Sequence, residues 1–125
     1  MPIDRKTLEK VVNFVEEKKG RDMMLLDLRG ISVITDYFLL VTGNSRIQTR
    51  AIADYLQEKL GVWDIRLLRT EGLAEANWVL MDCGDLVIHI MTPETRDFYN
   101  LERLWGDAPV VAAGNSRFEG SSLAD

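Results

Sequence analysis

Trp78-Val79-Leu80-Met81-Asp82-Cys83-Gly84-Asp85-Leu86-Val87-Ile88-His89-Ile90-Met91 carries the strongest local signal of the architecture. Two β-rich runs meet at a Cys-Gly pair, so the segment predicts a hairpin with strands over 77–82 and 85–91. Side chains alternate along a strand. Val79 and Met81 therefore share one face, and Trp78, Leu80 and Asp82 share the other. If Val79 and Met81 face the core, Trp78 and Leu80 form an outer apolar patch rimmed by an acid, a composition that suits a protein interface. If the sheet is covered on both sides, Trp78 is core. The pattern leaves both readings open.

Upstream of this segment, Tyr37 to Thr42 is almost continuously apolar, as a central strand covered on both faces would be. Met23 to Leu28 is short and apolar and also reads as a strand. Leu8, Val11, Val12 and Val15 fall at i, i+3, i+4 and i+7, one stripe of a helix capped by Asp4 and ended by Gly20. Ser45 with Gln48 three residues on fits a capping box, and Ile52, Leu56 and Leu60 recur one turn apart behind it. Trp63, Ile65 and Leu67 alternate with Asp64 and Arg66, which predicts a strand followed by a polar loop over 70–76. Thr92 and Pro93 open a final helix with Phe98, Leu101 and Trp105 as its stripe. After Gly106 the periodicity ends, so residues 1–106 are expected to form the domain and 107–125 a loosely attached tail. The order αββαβββα predicts one α/β domain, a mixed β-sheet with flanking helices.

The bulk numbers agree. The chain has 125 residues, 46 % apolar and 28 % charged, with 15 basic and 20 acidic side chains for a net charge of −5. One soluble domain with a real core is expected, and no run is long enough to span a bilayer. One cysteine and one histidine exclude a disulfide framework and a Cys/His metal cluster within one chain. The acidic balance argues against a phosphate backbone as main target and favours a basic partner. The N-terminus has no apolar signal core and is not a transit-type segment, so a cytoplasmic protein is expected.

Catalytic chemistry is hard to find. Gly43-Asn44-Ser45, after a strand and before a helix, resembles a phosphate-binding turn, but the same residues are ordinary caps. Nucleotidyltransferases pair such a turn with two carboxylates on the next strand to hold magnesium. Here Asp64-Ile65-Arg66 offers one carboxylate and an arginine. Asp82 and Asp85, with Glu94 or Asp97, could hold a hard cation, yet aspartates populate turns on their own account. His89 lies within a strand with no nucleophile at a recognisable spacing, and Cys83 lacks cationic neighbours. No catalytic, cofactor-binding or metal residue is assigned.

Taken in order, several blocks resemble one family. They are Thr35-Asp36-Tyr37-Phe38, Val41-Thr42-Gly43-Asn44-Ser45, Glu71-Gly72, the stretch from Trp78 to His89, and Phe98-Tyr99-Asn100-Leu101-Glu102-Arg103-Leu104-Trp105. Together they are similar to the ribosomal silencing factor (iojap-like) family over roughly Leu8 to Trp105. The resemblance implies a nucleotidyltransferase-like core without the catalytic carboxylates. It also implies a non-enzymatic translation repressor. Such a factor binds ribosomal protein fourteen of the large subunit, blocks joining of the small subunit, accompanies late large-subunit assembly and is a homodimer when free. A large-subunit assembly factor and a nucleotidyl-transfer enzyme are the alternatives. Neither a membrane nor a sequence-specific nucleic acid is expected as partner. On this reading Trp78 and Leu80 are the anchors, Asp82, Glu71 and Glu102 are acidic partners for Arg or Lys, and His89 and Tyr99 support that surface.

Overall fold

The computed structural model describes residues 3–113 and 117–118. Helix α1 spans Arg5–Glu17, and the Asp4 carboxylate accepts from the Thr7 N–H at 2.9 Å to cap it. Strands β1 (Arg21–Asp27) and β2 (Tyr37–Thr42) follow, then helix α2 (Arg46–Val62). Ser45 Oγ accepts from the Gln48 N–H at 3.2 Å, and Gln48 Oε1 accepts from the Asn44 N–H at 2.7 Å. The expected reciprocal cap is present, displaced by one residue on its return bond.

Strands β3 (Arg69–Glu71), β4 (Trp78–Asp82) and β5 (Leu86–Met91) come next, then helices α3 (Pro93–Tyr99) and α4 (Leu101–Leu104). Strands β6 (Val110–Ala113) and β7 (Arg117–Phe118) complete the order. Among the described residues seven strands form one sheet, in the order β3-β4-β5-β2-β1-β6-β7. β2 and β5 run parallel and the other neighbours are antiparallel, so the sheet is mixed as expected. The β4–β5 hairpin turns where predicted. Gly84 takes φ +86°, which glycine adopts freely, and its N–H is held by Asp82 Oδ1 at 2.8 Å.

Register assigns each side chain to a face. Leu25, Leu39, Val41, Val79, Met81, Ile88 and Ile90 point inward, where Leu8, Val11 and Val15 of α1 and Ile52, Leu56 and Leu60 of α2 complete the main core. Each such fully buried aliphatic side chain contributes about 1.5–3 kcal/mol. The opposite face carries Leu26, Leu40 and Met91, covered by Leu101 and Ala108 and flanked by half-buried Met24, Phe38, Trp78 and Trp105. Both faces of β2 are thus covered, which is why it reads as a continuous apolar run.

Three expectations are corrected. The strand expected at Trp63 is absent: Asp64 turns the chain at φ +57°, and residues 65–68 run alongside without a ladder of their own. Ile65 and Leu67 still pack partly buried against the core, as the alternation implied, but Trp63 is 52 % exposed. Pairing begins only at the Leu68 N–H, which donates to the Asp82 carbonyl at 2.7 Å, and β3 takes up residues assigned to a loop. The single C-terminal helix is instead broken at Asn100, which leaves Phe98 exposed rather than on the buried stripe. The segment from Asp107 is not a loose tail throughout. Val110–Ala113 pairs with β1, and Val111 is fully buried. A four-residue strand is too short to show a period of its own and borrows its order from β1. Residues 114–116 and those beyond 118 of the expected tail lie outside the described residues.

Candidate functional site on the outer face of the sheet

Trp78, Leu80 and Asp82 share the outer face of β4, while Val79 and Met81 are fully buried on the inner one. Trp78 is half-buried: it packs against the smaller cluster yet keeps an exposed edge. The open alternative is therefore decided by partial cover, since α3 and α4 shield only part of that face. The Trp78 ring sits at the middle of a run of rings. Phe98 meets Tyr99 at 5.0 Å between centroids, Tyr99 meets Trp78 at 4.8 Å, and Trp78 meets His89 at 5.8 Å. Beyond it His89 meets Phe38 at 4.6 Å and Phe38 meets Trp105 at 5.7 Å. Phe98 is 79 % exposed and Tyr99 52 %, so the run rises from the sheet into solvent. An open cleft of about 260 Å³ lies beside it, lined by Gly72, Glu75, Asn77, Trp78, Thr95 and Tyr99. Gly72 makes this close approach possible. A Cβ there would lie 2.1 Å from the Trp78 carbonyl oxygen, and its φ is +83°.

His89 supports the ledge from beneath. It lies opposite Leu80 in the β4–β5 ladder and is almost fully buried. The Trp78 Nε1–H donates to its Nδ1 at 3.0 Å. An indole N–H only donates, so the ring is neutral with its proton on Nε2. Burial pushes the His89 pKa down to about 4. Protonation would also set two donors face to face. The folded pKa lies below the ordinary unfolded value, so between the two the unfolded chain binds more protons. The stabilisation is complete above about pH 6.5 and is lost as pH falls toward 4. Urea unfolding is expected to show about 2 kcal/mol less stability at pH 5 than at pH 7.5, and His89→Gln is expected to abolish most of that difference. An unchanged pH slope in that variant would show that His89 does not titrate in this range.

The predicted acids are placed differently from one another. Glu71 lies opposite Leu80 and Asp82 opposite Arg69, so all of them share the outer face. Arg69 Nε approaches Glu71 Oε2 at 3.1 Å and Asp82 Oδ2 at 3.5 Å. Both acids already have an internal cation, and a partner's basic side chain would compete with an exposed, weakly held one. Glu102 stands apart on α4, paired with Arg96 at 3.2 Å.

Arg96 is the residue that the sequence reading missed. On a short amphipathic helix it looks like a solvated base, yet it is buried. Its Nη1 donates to Thr42 Oγ1 at 2.9 Å and to the Asp22 carbonyl, while its Nε donates to Glu102. One guanidinium thereby fastens α3 to β1, β2 and α4, and so holds the helical cover of the ledge in place. No sequence signal marks this role, because its partners lie 54 and 74 residues away.

The other candidates serve the fold. Within the Gly43-Asn44-Ser45 turn, Asn44 Oδ1 accepts from Arg21 at 2.8 Å, and a Cβ on Gly43 would lie 2.5 Å from Thr49 Oγ1. These contacts give the glycine and the asparagine a packing job. Burial, with Asp82 adding to it, pushes the Cys83 thiol up to about 12, far from a nucleophilic thiolate. Among the described residues no group of three or more His, Cys, Asp or Glu side chains is placed to hold a metal ion.

The family model described as "Ribosomal silencing factor during starvation" matches residues 3–123. A ribosomal silencing factor of Halalkalibacterium halodurans is 44 % identical over 108 residues, covering 86 % of this chain and 92 % of that protein. A mouse protein named "Mitochondrial assembly of ribosomal large subunit protein 1" is 31 % identical over 101 residues, 78 % of this chain and 44 % of that protein. A crystal structure of a Chromobacterium violaceum protein superposes with a TM-score of 0.78 at 33 % identity, covering 83 % of this chain and 88 % of that one. The match spans both the ledge and β6, the strand beyond the expected domain end. The chain belongs to the ribosomal silencing factor family.

Proposed function

We propose that this chain binds the large ribosomal subunit through ribosomal protein fourteen and, seated there, keeps the small subunit from docking, so that translation is repressed. The observation that carries this reading is the outer ledge: a half-buried tryptophan continuous with exposed aromatic side chains and bordered by acids. Large aromatic anchors at the centre of a patch with a polar rim are the usual form of a protein–protein hot spot. A net charge of −5 suits a basic ribosomal protein and speeds the encounter. Steric exclusion needs no catalytic group, only a rigid body on the docking face, and the continuous sheet with its two cores supplies one. Trp78, Leu80 and Tyr99 make the contact on this reading, His89 holds Trp78 in place, and Glu71, Asp82 and Glu102 form the acidic border. The free protein, in the cytoplasm, is a homodimer.

The test is a subunit-joining experiment. Purified large subunits are incubated with the protein before small subunits are added, and the joined fraction is read on a sucrose gradient. The joined fraction is expected to fall with dose, with the protein comigrating with free large subunits. A joined fraction that stays constant at saturating protein would sink the reading. The name of the mouse relative favours a second reading, a large-subunit assembly factor. That reading gains ground if the protein comigrates with precursor particles and leaves mature subunits free.

A further inference from the structure

We infer that Asn100 is a positioning residue for the binding ledge: its left-handed backbone breaks the C-terminal helix so that Phe98 and Tyr99 stand out beside Trp78 as further anchors. This rests on the proposed large-subunit binding at the same surface. In an unbroken helix Phe98, Leu101 and Trp105 would share one face, at i, i+3 and i+7. The chain does otherwise. Leu101 is buried against Leu26, Leu28, Leu40 and Met91, whereas Phe98 is 79 % exposed. The residue between the two segments has φ 47° and ψ 62°. Among non-glycine residues asparagine tolerates this region best.

The same residue serves both helices, through its backbone for α3 and its side chain for α4. The Asn100 N–H donates to the Arg96 carbonyl at 2.9 Å, closing α3. Its Oδ1 accepts from the Arg103 N–H at 3.2 Å, opening α4. The turn thus lets Leu101 stay in the core while the preceding two rings leave it. Tyr99 then lies over Trp78 at 4.8 Å, and Phe98 meets Tyr99 edge-on at 83°. Among the described residues, Phe98 meets the Tyr99 ring and is otherwise open to solvent. An exposed ring continuous with the ledge adds apolar area where a partner docks.

Two substitutions separate the backbone from the cap. Asn100→Ala disfavours the left-handed turn, while Asn100→Gly permits it and loses only the side-chain bond. Affinity for purified large subunits is measured by sedimentation, and the Tyr99–Trp78 ring contact is followed by nuclear Overhauser effects. Asn100→Ala is expected to lose the ring contact and bind roughly tenfold more weakly, with Asn100→Gly within about threefold of wild type. Equal losses in both variants, or a retained ring contact in Asn100→Ala, would overturn the role of the turn. Phe98→Ala, at an exposed site that folding does not need, is expected to bind roughly tenfold more weakly at an unchanged melting temperature. Unchanged binding there would remove Phe98 as an anchor, and this variant decides even if Asn100→Ala fails to fold. Failure of the wild type to bind large subunits would instead be a failure of the proposed function, and the ring-contact comparison would still decide whether Asn100 sets the geometry.

Discussion

Trp78→Ala is expected to weaken binding to the large subunit by at least about 2 kcal/mol, roughly thirtyfold. The indole is the widest ring of the ledge and its centre, in contact with both Tyr99 and His89. Removing it leaves a gap under Tyr99 and takes the hydrogen bond from His89 Nδ1. Some loss of stability must accompany this, about 1–3 kcal/mol for a buried polar group left unpaired. The binding measurement is therefore made on protein shown to be folded by circular dichroism, with affinity expressed per folded molecule. Trp78→Phe keeps most of the apolar area and loses only the N–H, so it is expected to bind within a few-fold of wild type. Full affinity in folded Trp78→Ala would place the contact elsewhere on the surface.

Arg96→Met is expected to have the largest effect on the fold, about 3 kcal/mol or more. The methionine stem replaces the buried methylenes, but the Glu102 carboxylate, the Thr42 hydroxyl and the Asp22 carbonyl lose their shared donor. Glu102 would then be a half-buried charge with no cation, its Oε1 already lacking a hydrogen-bond partner among the described residues. For a domain of this size that loss lowers the melting temperature by about 10 °C or more. Arg96→Lys keeps the charge but not the planar fork that reaches three partners, and is expected to fall between the two. Denaturant unfolding checks both. A change below about 1 kcal/mol in Arg96→Met would show that water replaces the guanidinium without cost.

Much of this architecture was legible in residue order. The two-residue alternation in β4 separated Val79 and Met81 from Trp78, Leu80 and Asp82, and the continuous run of β2 announced cover on both faces. Both signals are local: burial on one face leaves a period in the chain itself. What escaped depends on groups far apart in sequence. Alternation at Ile65 and Leu67 told which side chains go in, but not whether a neighbouring strand would pair with that backbone. Residues 110–113 are ordered by β1, nearly ninety positions earlier. Asn100 sits in a segment whose apolar spacing fits a longer helix, and only its affinity for left-handed backbone favours a break. How far Trp78 is exposed depended on where α3 and α4 come to rest, and Arg96 settles that through partners no spacing rule connects.

The most direct test of the ledge as the binding surface is a site-specific photo-crosslink. A photoreactive phenylalanine analogue is placed at Tyr99, half-exposed and in contact with Trp78, and the protein is irradiated on purified large subunits. The same analogue at Asp54, on an exposed position of α2, serves as control. A single major crosslink from position 99 to ribosomal protein fourteen is expected, and none to that protein from position 54. A crosslink from position 99 to another ribosomal protein or to ribosomal RNA, or the position 54 analogue capturing protein fourteen instead, would contradict it.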